Sequence, residues 1–296
     1  MIRWLLERRA ARVAVIVGLF VLPLTNVMSA ALIVLTSRVA GWRVAGLDVA
    51  LAIGILAAIL GIAGGDATAA SPLPAVLVAG VLWSGAVLAG AQLARFGTVD
   101  LPVQSLVIAA AAGVLVATLA VPDARGFWEP VLTGLVKAAG LPQAEGLPAG
   151  WLGTLAALMH GVLAASLLST WLLALILGLW LGRHADDPAH WRRQFLMLRL
   201  GRVLAVAAAI ALVLLAAGLE TLGGGLLLVL GTGFAAQGLA VVHWTADARQ
   251  WPRVWPLVLY GPLLIGAPLA GMGLVALAAA GLADNFVSLR RGRNVV

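Results

Sequence analysis

Hydrophobic residues run through this sequence in long blocks, and polar residues gather in the short gaps between them. We mark eight apolar segments, at about 13–36, 44–63, 73–93, 101–120, 152–181, 203–217, 221–242 and 254–282. Most of them match the roughly 17–25 residues that a helix needs to cross the hydrocarbon of a bilayer. None alternates apolar and polar residues with a period of two, so the pattern predicts helices and not strands.

The composition shows that these helices do not belong to a soluble fold. Of the 296 residues, 62% are hydrophobic and 10% are charged, whereas about a quarter of the residues in a soluble domain are charged. This excludes ordinary soluble enzymes, nucleic-acid binders and disordered chains. The sequence therefore predicts an all-α, polytopic helical membrane protein, with residues 1–296 forming a single integral membrane domain.

Prolines interrupt the first and last apolar segments. Pro23 lies in the first, and Pro262 and Pro268 lie in the last. Proline removes a backbone donor and clashes with the preceding helical turn. We therefore expect these two segments to be kinked, broken or re-entrant, not straight.

Two stretches between the apolar segments are too polar to cross a membrane. Residues 121–150 contain five charged residues and four prolines. The apolar residues among them have helical spacing, which predicts an amphipathic helix in the membrane interface, with a plain structured loop as the alternative. Residues 182–202 form a basic loop, in which Asp187-Pro188 is typical of a helix start.

The net charge of +7 is explained by membrane topology, because the basic residues lie in the gaps between apolar segments and at the termini. If the gaps between segments are numbered in order, the odd gaps contain ten Lys and Arg residues and the even gaps contain two. Basic loops stay on the cytoplasmic side, so the odd gaps, including 182–202, are predicted to be cytoplasmic. Both termini are basic as well. All of these assignments agree only if the first and last segments return to the side on which they start.

The chain contains few residues of the types that catalyse reactions or bind metals. It contains no cysteine and four histidines, and no cluster of carboxylates lies inside an apolar segment. We therefore predict neither an enzyme nor a bound cofactor. His184, Asp186, Asp187 and His190 have side chains that bind metals, but their spacing matches no standard site, so no metal site is predicted.

A few polar or aromatic residues lie inside the apolar segments, where burial without a partner costs free energy. We treat four of them as candidate ligand contacts: Asn26, Trp83, His160 and Gln237. Asn26 follows the break that Pro23 predicts, and broken helices free backbone groups for a substrate. The alternatives stay open, since Asn26 can repair a kink, Trp83 can pack in a core, and His160 can bond a neighbouring helix.

Two stretches near the C-terminal end carry a family resemblance. They are Phe-Ala-Ala-Gln-Gly-Leu-Ala-Val-Val-His-Trp at 234–244 and Gly-Leu-Ala-Asp-Asn-Phe-Val-Ser-Leu-Arg-Arg at 281–291. Together they resemble the YybS-like (DUF2232) family of bacterial inner-membrane proteins. The motif residues are Gly238, His243, Gly281, Asp284, Phe286, Arg290 and Arg291.

The resemblance implies a multi-pass protein of the bacterial inner membrane, similar to the S-components of energy-coupling-factor transporters. Such proteins bind or transport small molecules and dock on a membrane subunit, partly through an Ala-x-x-x-Ala surface, which Ala10 and Ala14 match. The expected partners are therefore the bilayer, a small molecule and an energy-coupling subunit. The alternative is a non-catalytic scaffold or assembly factor that acts through the basic loops at 183–202, 249–253 and 290–293. No nucleic acid is expected as a partner.

Overall fold

The structure is a computed structural model, and it describes residues 2–22, 25–63, 73–140, 150–182, 188–265, 267–287 and 289–290. Within these ranges every regular element is helical and no strand occurs. Six helices are long and apolar enough to cross a membrane, and there are seven spans if one bent pair, Ala189–Leu196 with Gly201–Ala216, counts as one. The prediction of an all-α, multi-pass membrane protein is confirmed at this level.

The described chain contains thirteen α-helices and one π-helical turn. The helices are α1 (Ile2–Glu7), α2 (Arg9–Val21), α3 (Asn26–Val39), α4 (Trp42–Ala63), α5 (Leu73–Phe96), α6 (Asp100–Ala120), α7 (Ala124–Ala138), α8 (Trp151–Leu181), α9 (Pro188–Leu196), α10 (Gly201–Ala216), α11 (Gly225–Ala248), α12 (Trp255–Ile265) and α13 (Ala267–Val287). The π turn is Glu220–Gly224, directly before α11. α9 is described from Pro188 onwards.

The helices form two compact units. Unit 1 comprises Met1–Leu106 and Ser169–Phe195, and unit 2 comprises Val107–Leu168 and Leu196–Val296. Helices α6, α8 and α9 therefore contribute residues to both units. Each unit is described separately below.

The first apolar segment forms two helices in unit 1. α2 ends at Val21, and α3 begins at Asn26. The hydroxyl of Ser29 donates to the carbonyl oxygen of Ile16 at 2.9 Å. Because the connection is short and these two residues lie side by side, α3 runs back along α2 as a helical hairpin.

Helix α3 is the centre of unit 1. Every side chain from Ser29 to Ser37 is buried, and α3 packs against α2, α4 and α5. A Cβ atom at Gly90 of α5 or at Gly178 of α8 would overlap atoms of α3. Small residues of this kind let helices approach closely where lipid supplies no hydrophobic driving force.

In unit 2, α10 packs antiparallel to the π turn and α11. Gly223 of the π turn lies against the backbone of Leu215, near the end of α10. At the other end, the amide of Leu200 donates to the side chain of Gln237, in the middle of α11. These two contacts set the register of the helix pair.

Helices α11 and α13 pack closely at two glycines. A Cβ atom at Gly238 would overlap the backbone of Leu277, and one at Gly281 would overlap the backbone of Phe234. Both glycines belong to the stretches that carry the family resemblance. Their role in this structure is to let two backbones touch.

Helix α7 lies in the stretch 121–150, for which the sequence predicts an amphipathic helix. Asp123 caps its first turn, since the side chain accepts a hydrogen bond from the amide of Gly126 at 2.9 Å. Phe127, Val131 and Leu135 form an exposed apolar stripe with helical spacing. An interfacial position remains a prediction, and residues 141–149 lie outside the described residues.

Candidate functional site

The chain leaves helical structure between α9 and α10. α9 ends at Leu196, and α10 begins at Gly201, whose φ of +81° is a left-handed conformation that favours glycine. Together Ala189–Leu196 and Gly201–Ala216 are apolar enough to count as one bent span, although the sequence around the break is basic. A break in a span frees carbonyl and amide groups, and these need partners where water is absent. Side chains from α11 and from the C-terminal end of α13 supply those partners.

Arg290 binds the carbonyl groups on the first side of the break. Its Nη1 donates to the carbonyl of Leu196 at 2.5 Å, and its Nη2 donates to the carbonyl of Leu198 at 2.8 Å. The Arg290 side chain is fully buried. This arginine therefore replaces the amide groups that a continuous helix would present to those oxygens.

Two amides bind the backbone on the other side of the break. The amide nitrogen of Leu200 donates to Oε1 of Gln237 at 2.9 Å, and that of Gly201 donates to Oδ1 of Asn285 at 3.1 Å. Asn285 also donates through Nδ2 to Oε1 of Gln237 at 3.4 Å. The start of α10 is thus capped by side chains distant in sequence and not by its own N-cap residue.

A buried carboxylate lies at the centre of this arrangement. Oδ2 of Asp284 accepts hydrogen bonds from Nη2 of Arg290 at 2.5 Å and from Nε2 of Gln237 at 3.1 Å. Nε of Arg199, from the break itself, lies 3.6 Å from the same oxygen. Two arginines therefore face one carboxylate, and the local charge is positive when all three are ionised.

We refer to Gln237, Asp284, Asn285 and Arg290, with the backbone of residues 196–201, as the break site. Asp284 is fully buried, and among the described residues its Oδ1 has no hydrogen-bond partner. Removing one member of a buried ion pair leaves the other charge uncompensated at high cost. The break site is therefore sensitive to the loss of any one of its charges.

Unit 1 contains a second buried ion pair. Nε of Arg12 lies 2.7 Å from Oδ2 of Asp48, and Nε of Arg9 lies 3.4 Å from the other carboxylate oxygen. Arg12 also donates to the carbonyl of Leu6. Asp48 is fully buried, and Arg12 is almost fully buried. The pair joins the start of α2 to α4.

The four candidate ligand contacts lie in different places. In unit 1, Asn26 accepts a hydrogen bond from the amide of Val27 at 2.9 Å. Trp83 is fully buried and donates to the hydroxyl of Ser29 at 3.0 Å. In unit 2, Gln237 belongs to the break site, and His160 is a buried residue of α8. Their roles as ligand contacts stay predictions.

Several motif residues of the family resemblance meet in unit 2. Asp284 and Arg290 form the ion pair of the break site, and Gly238 and Gly281 lie beside it on α11 and α13. Two motif residues lie elsewhere: His243 is 3.2 Å from the Tyr260 hydroxyl, and Phe286 is 60% exposed. The last motif residue, Arg291, is outside the described residues.

Sequence reasoning did not identify Asn285, Arg199, Arg12 or Asp48 as members of buried polar clusters. The sequence gives little indication that these four residues are buried, because each lies near the end of an apolar segment, where charged and polar residues are normally solvated.

Metal-binding side chains do not cluster in the described part of the chain, where no group of three or more His, Asp or Glu residues has a suitable arrangement. His190 lies 3.3 Å from the carbonyl of Gly97. The other three residues of the basic loop with metal-binding side chains, at 184, 186 and 187, are outside the described residues.

Comparison of the chain with protein-family models, with curated proteins and with solved structures found no match. The YybS-like (DUF2232) resemblance is therefore still a prediction.

Proposed function

We propose that this chain is a multi-pass protein of the bacterial inner membrane that binds or transports a small molecule, in the manner of an S-component. The observation that carries the proposal is the break site. Discontinuous helices with polar side chains at the interruption are a common way for transporters to build a substrate site or a moving element. Ionisable residues within membrane-spanning helices are costly and are retained mostly for function.

The proposed topology places the odd gaps and both termini in the cytoplasm. The hairpin of α2 and α3 supports this for the N-terminal end, because it returns the chain to its starting side before α4. For the last apolar segment the proposal rests on Pro262 and Pro268 in its sequence. In this proposal neither the first nor the last segment is a single straight span.

Energy coupling in this proposal requires a partner, because the sequence contains no ATP-binding motif. An apolar groove of about 1010 Å³ between α2 and α4 is a suitable docking surface. Exposed Ala10, Ala14 and Gly18 line one wall, and Leu51 and Ile55 line the other. Small residues at this spacing admit a second helix at short distance, so the groove would take a transmembrane helix of an energy-coupling subunit.

The alternative, a scaffold that acts through basic cytoplasmic loops, receives less support. It counts Arg290 among its docking charges, whereas that side chain is fully buried against Asp284. Arg249 and Arg253 are exposed and remain open to such a role.

Ligand binding by the purified protein tests the proposed function. The protein in detergent is analysed for retained small molecules and for a rise in Tm across a panel of vitamins and metabolites. A compound at one hundred times its Kd stabilises the folded state by about 2.7 kcal/mol, which is readily measured. A chain that retains no small molecule and is stabilised by no compound in the panel would count against binding and transport.

A second measurement connects binding to the break site. Because the chain contains no cysteine, Met197→Cys gives a single thiol at the break, where Met197 is 53% exposed. The stabilising compound is expected to change the labelling rate of this thiol. The matched control is Met272→Cys on α13, at a methionine that is also exposed, and its labelling rate should stay constant. If the compound changed the labelling rate of neither thiol, its binding would not involve the break site.

A further inference from the structure

A cavity of about 520 Å³, largely open to the surface, lies in unit 2, where α6 ends and α7 begins. Its walls include Thr118 of α6, Arg125 of α7, Ala157 of α8, and Glu220 and Thr221 of the π turn. Cavities of roughly 300–1,000 Å³ are typical of small-molecule sites. The break site contributes none of the residues that line this cavity.

Two aromatic residues lie one helical turn from the cavity walls. Trp128 follows Arg125 by three residues on α7, and His160 follows Ala157 by three residues on α8, so each shares a helix face with a residue of the wall. The two rings contact each other at 6.2 Å between centroids, in an edge-to-face arrangement. Neither residue lines the cavity itself, and the Trp128–His160 pair lies one helical turn beyond Arg125 and Ala157 of its wall.

Three polar atoms on or beyond the cavity wall have no hydrogen-bond partner in the part of the chain that the structure describes. Among the described residues, Nδ1 of His160, Nε1 of Trp128 and Oγ1 of Thr118 are buried and have no hydrogen-bond partner. His160 is only 6% exposed. Buried polar groups in native proteins are almost always hydrogen-bonded, and unpaired ones call for a missing partner such as a water or a ligand. One of these atoms, Oγ1 of Thr118, belongs to the cavity wall, and the other two belong to residues one helical turn beyond wall residues. Together they point to a bound polar molecule.

Charges of both signs stand at the cavity wall. Nη2 of Arg125 lies 4.0 Å from Oε2 of Glu220, and both side chains are more than half exposed. An exposed ion pair at this distance is weak. Each of the two side chains can therefore leave the other and bind a ligand instead. Asp123 differs, since its carboxylate is engaged in capping α7.

The π turn supports the far wall of the cavity. Its residue Gly224 packs against Leu158, and the following Gly225 packs against Gly161, so that the turn lies close against α8 beside His160. π-Helical turns are rare and occur frequently at functional sites.

We infer that this cavity binds a small zwitterionic solute. Its carboxylate pairs with Arg125 and its ammonium group pairs with Glu220, while a neutral hydrogen-bonding group reaches Trp128 and His160. This assignment rests on the proposed small-molecule function and adds a location and a chemical class to it.

Protection of a single cysteine tests the assignment. Thr221→Cys places a thiol of similar shape in the cavity wall, in a chain without other cysteines. A neutral methanethiosulfonate reagent should label it, and an L-amino acid that binds at ten times its Kd should slow the labelling about tenfold. The control is Thr154→Cys, an exposed position of α8 that does not line the cavity, and its labelling should be unaffected.

The choice of probes tests the chemical class. Each of the twenty L-amino acids is compared with its N-acetyl amide, which lacks both charges. Equal protection by the neutral amides would overturn the zwitterion assignment, and so would the absence of protection by every amino acid. If a compound raises the Tm of the wild-type protein but does not protect Thr221→Cys, small-molecule binding stands and this location is wrong.

A conservative variant tests the aromatic pair. Trp128→Phe keeps the ring and removes the indole N–H, so the Kd for the protecting amino acid should rise about threefold to tenfold, as expected for one lost hydrogen bond. Trp180→Phe, at a tryptophan that is 53% exposed, is the matched control and should leave the Kd unchanged. An unchanged Kd in Trp128→Phe would show that the indole N–H does not bind the solute.

Discussion

The side-chain amide of Gln237 donates a hydrogen bond to the carboxylate of Asp284 at 3.1 Å, between α11 and α13. Each residue comes from one of the two sequence stretches that carry the family resemblance. The carbonyl oxygen of the same amide accepts from the backbone at Leu200. A single glutamine therefore connects the buried ion pair to the interrupted helix. A change in the ion pair should consequently alter the helix break, and the reverse.

Asp284→Asn is predicted to destabilise the protein strongly. The variant retains the shape of the side chain but leaves the guanidinium of Arg290 buried without its counter-charge. Breaking a buried pair in this way costs about 3–5 kcal/mol. The measurement is the thermal unfolding of the purified variants in detergent, with Glu7→Gln, which alters an exposed carboxylate, as the control. An equal Tm for the two variants would contradict the prediction.

The double variant Asp284→Leu/Arg290→Met separates charge from hydrogen bonding. Replacing a buried ion pair by apolar side chains is often close to neutral. In this protein Arg290 also binds the carbonyl groups of Leu196 and Leu198, and these oxygens lose their donors. We therefore expect the double variant to be more stable than Asp284→Asn and still less stable than the wild-type protein.

The helical class was predictable because a hydrophobic block long enough to cross a bilayer has few ways to do so other than as a helix. An interruption of the first block was predictable from a local feature, since Pro23 lies within its sequence. The break at 197–200 was not predictable in the same way. Its sequence, Met-Leu-Arg-Leu, contains no proline or glycine, and the side chains that stabilise it lie far away in the sequence, on α11 and α13.

The candidate site was predictable only in part, for reasons of the same kind. Gln237 stands out because it is polar within an apolar segment. Asp284 lies near the end of its segment, where a carboxylate is normally solvated, and it is buried because Arg290 folds back onto it. Trp128 and Thr118 gave no signal, because tryptophan is expected at interfaces and threonine bonds its own helix readily.

Gly281→Ala is predicted to disturb the contact between α11 and α13. A Cβ atom at this position would overlap the backbone of Phe234, which cannot move away as a flexible side chain can. Overpacking of this kind costs about 1–3 kcal/mol. The control is Gly271→Ala on the same helix, where nothing lies within 4 Å of the added methyl group. A lower Tm is expected for Gly281→Ala alone.

Ser29→Ala is predicted to destabilise unit 1 without affecting ligand binding. The Ser29 hydroxyl accepts from the indole of Trp83 at 3.0 Å and donates to the carbonyl of Ile16. Its loss leaves a buried indole N–H unpaired, at a cost of about 1–3 kcal/mol. Ser84→Ala, at an exposed serine next to Trp83, should leave the Tm unchanged. A ligand-induced rise in Tm that disappears in Ser29→Ala would instead favour Trp83 as a ligand contact.

Both chain termini are predicted to be accessible from the cytoplasm only. The ion pair of Arg12 with Asp48 holds the start of α2 against α4, and the hairpin then requires the N-terminal end to lie on the side where α4 begins. Single cysteines at positions 2 and 295 report on the two ends, since the chain has no other thiol. A membrane-impermeant maleimide should label them only after the membrane is opened, whereas Gln143→Cys, in an even gap, should be labelled in intact spheroplasts. Labelling of position 2 or 295 in intact spheroplasts would show that the corresponding apolar segment crosses the membrane fully.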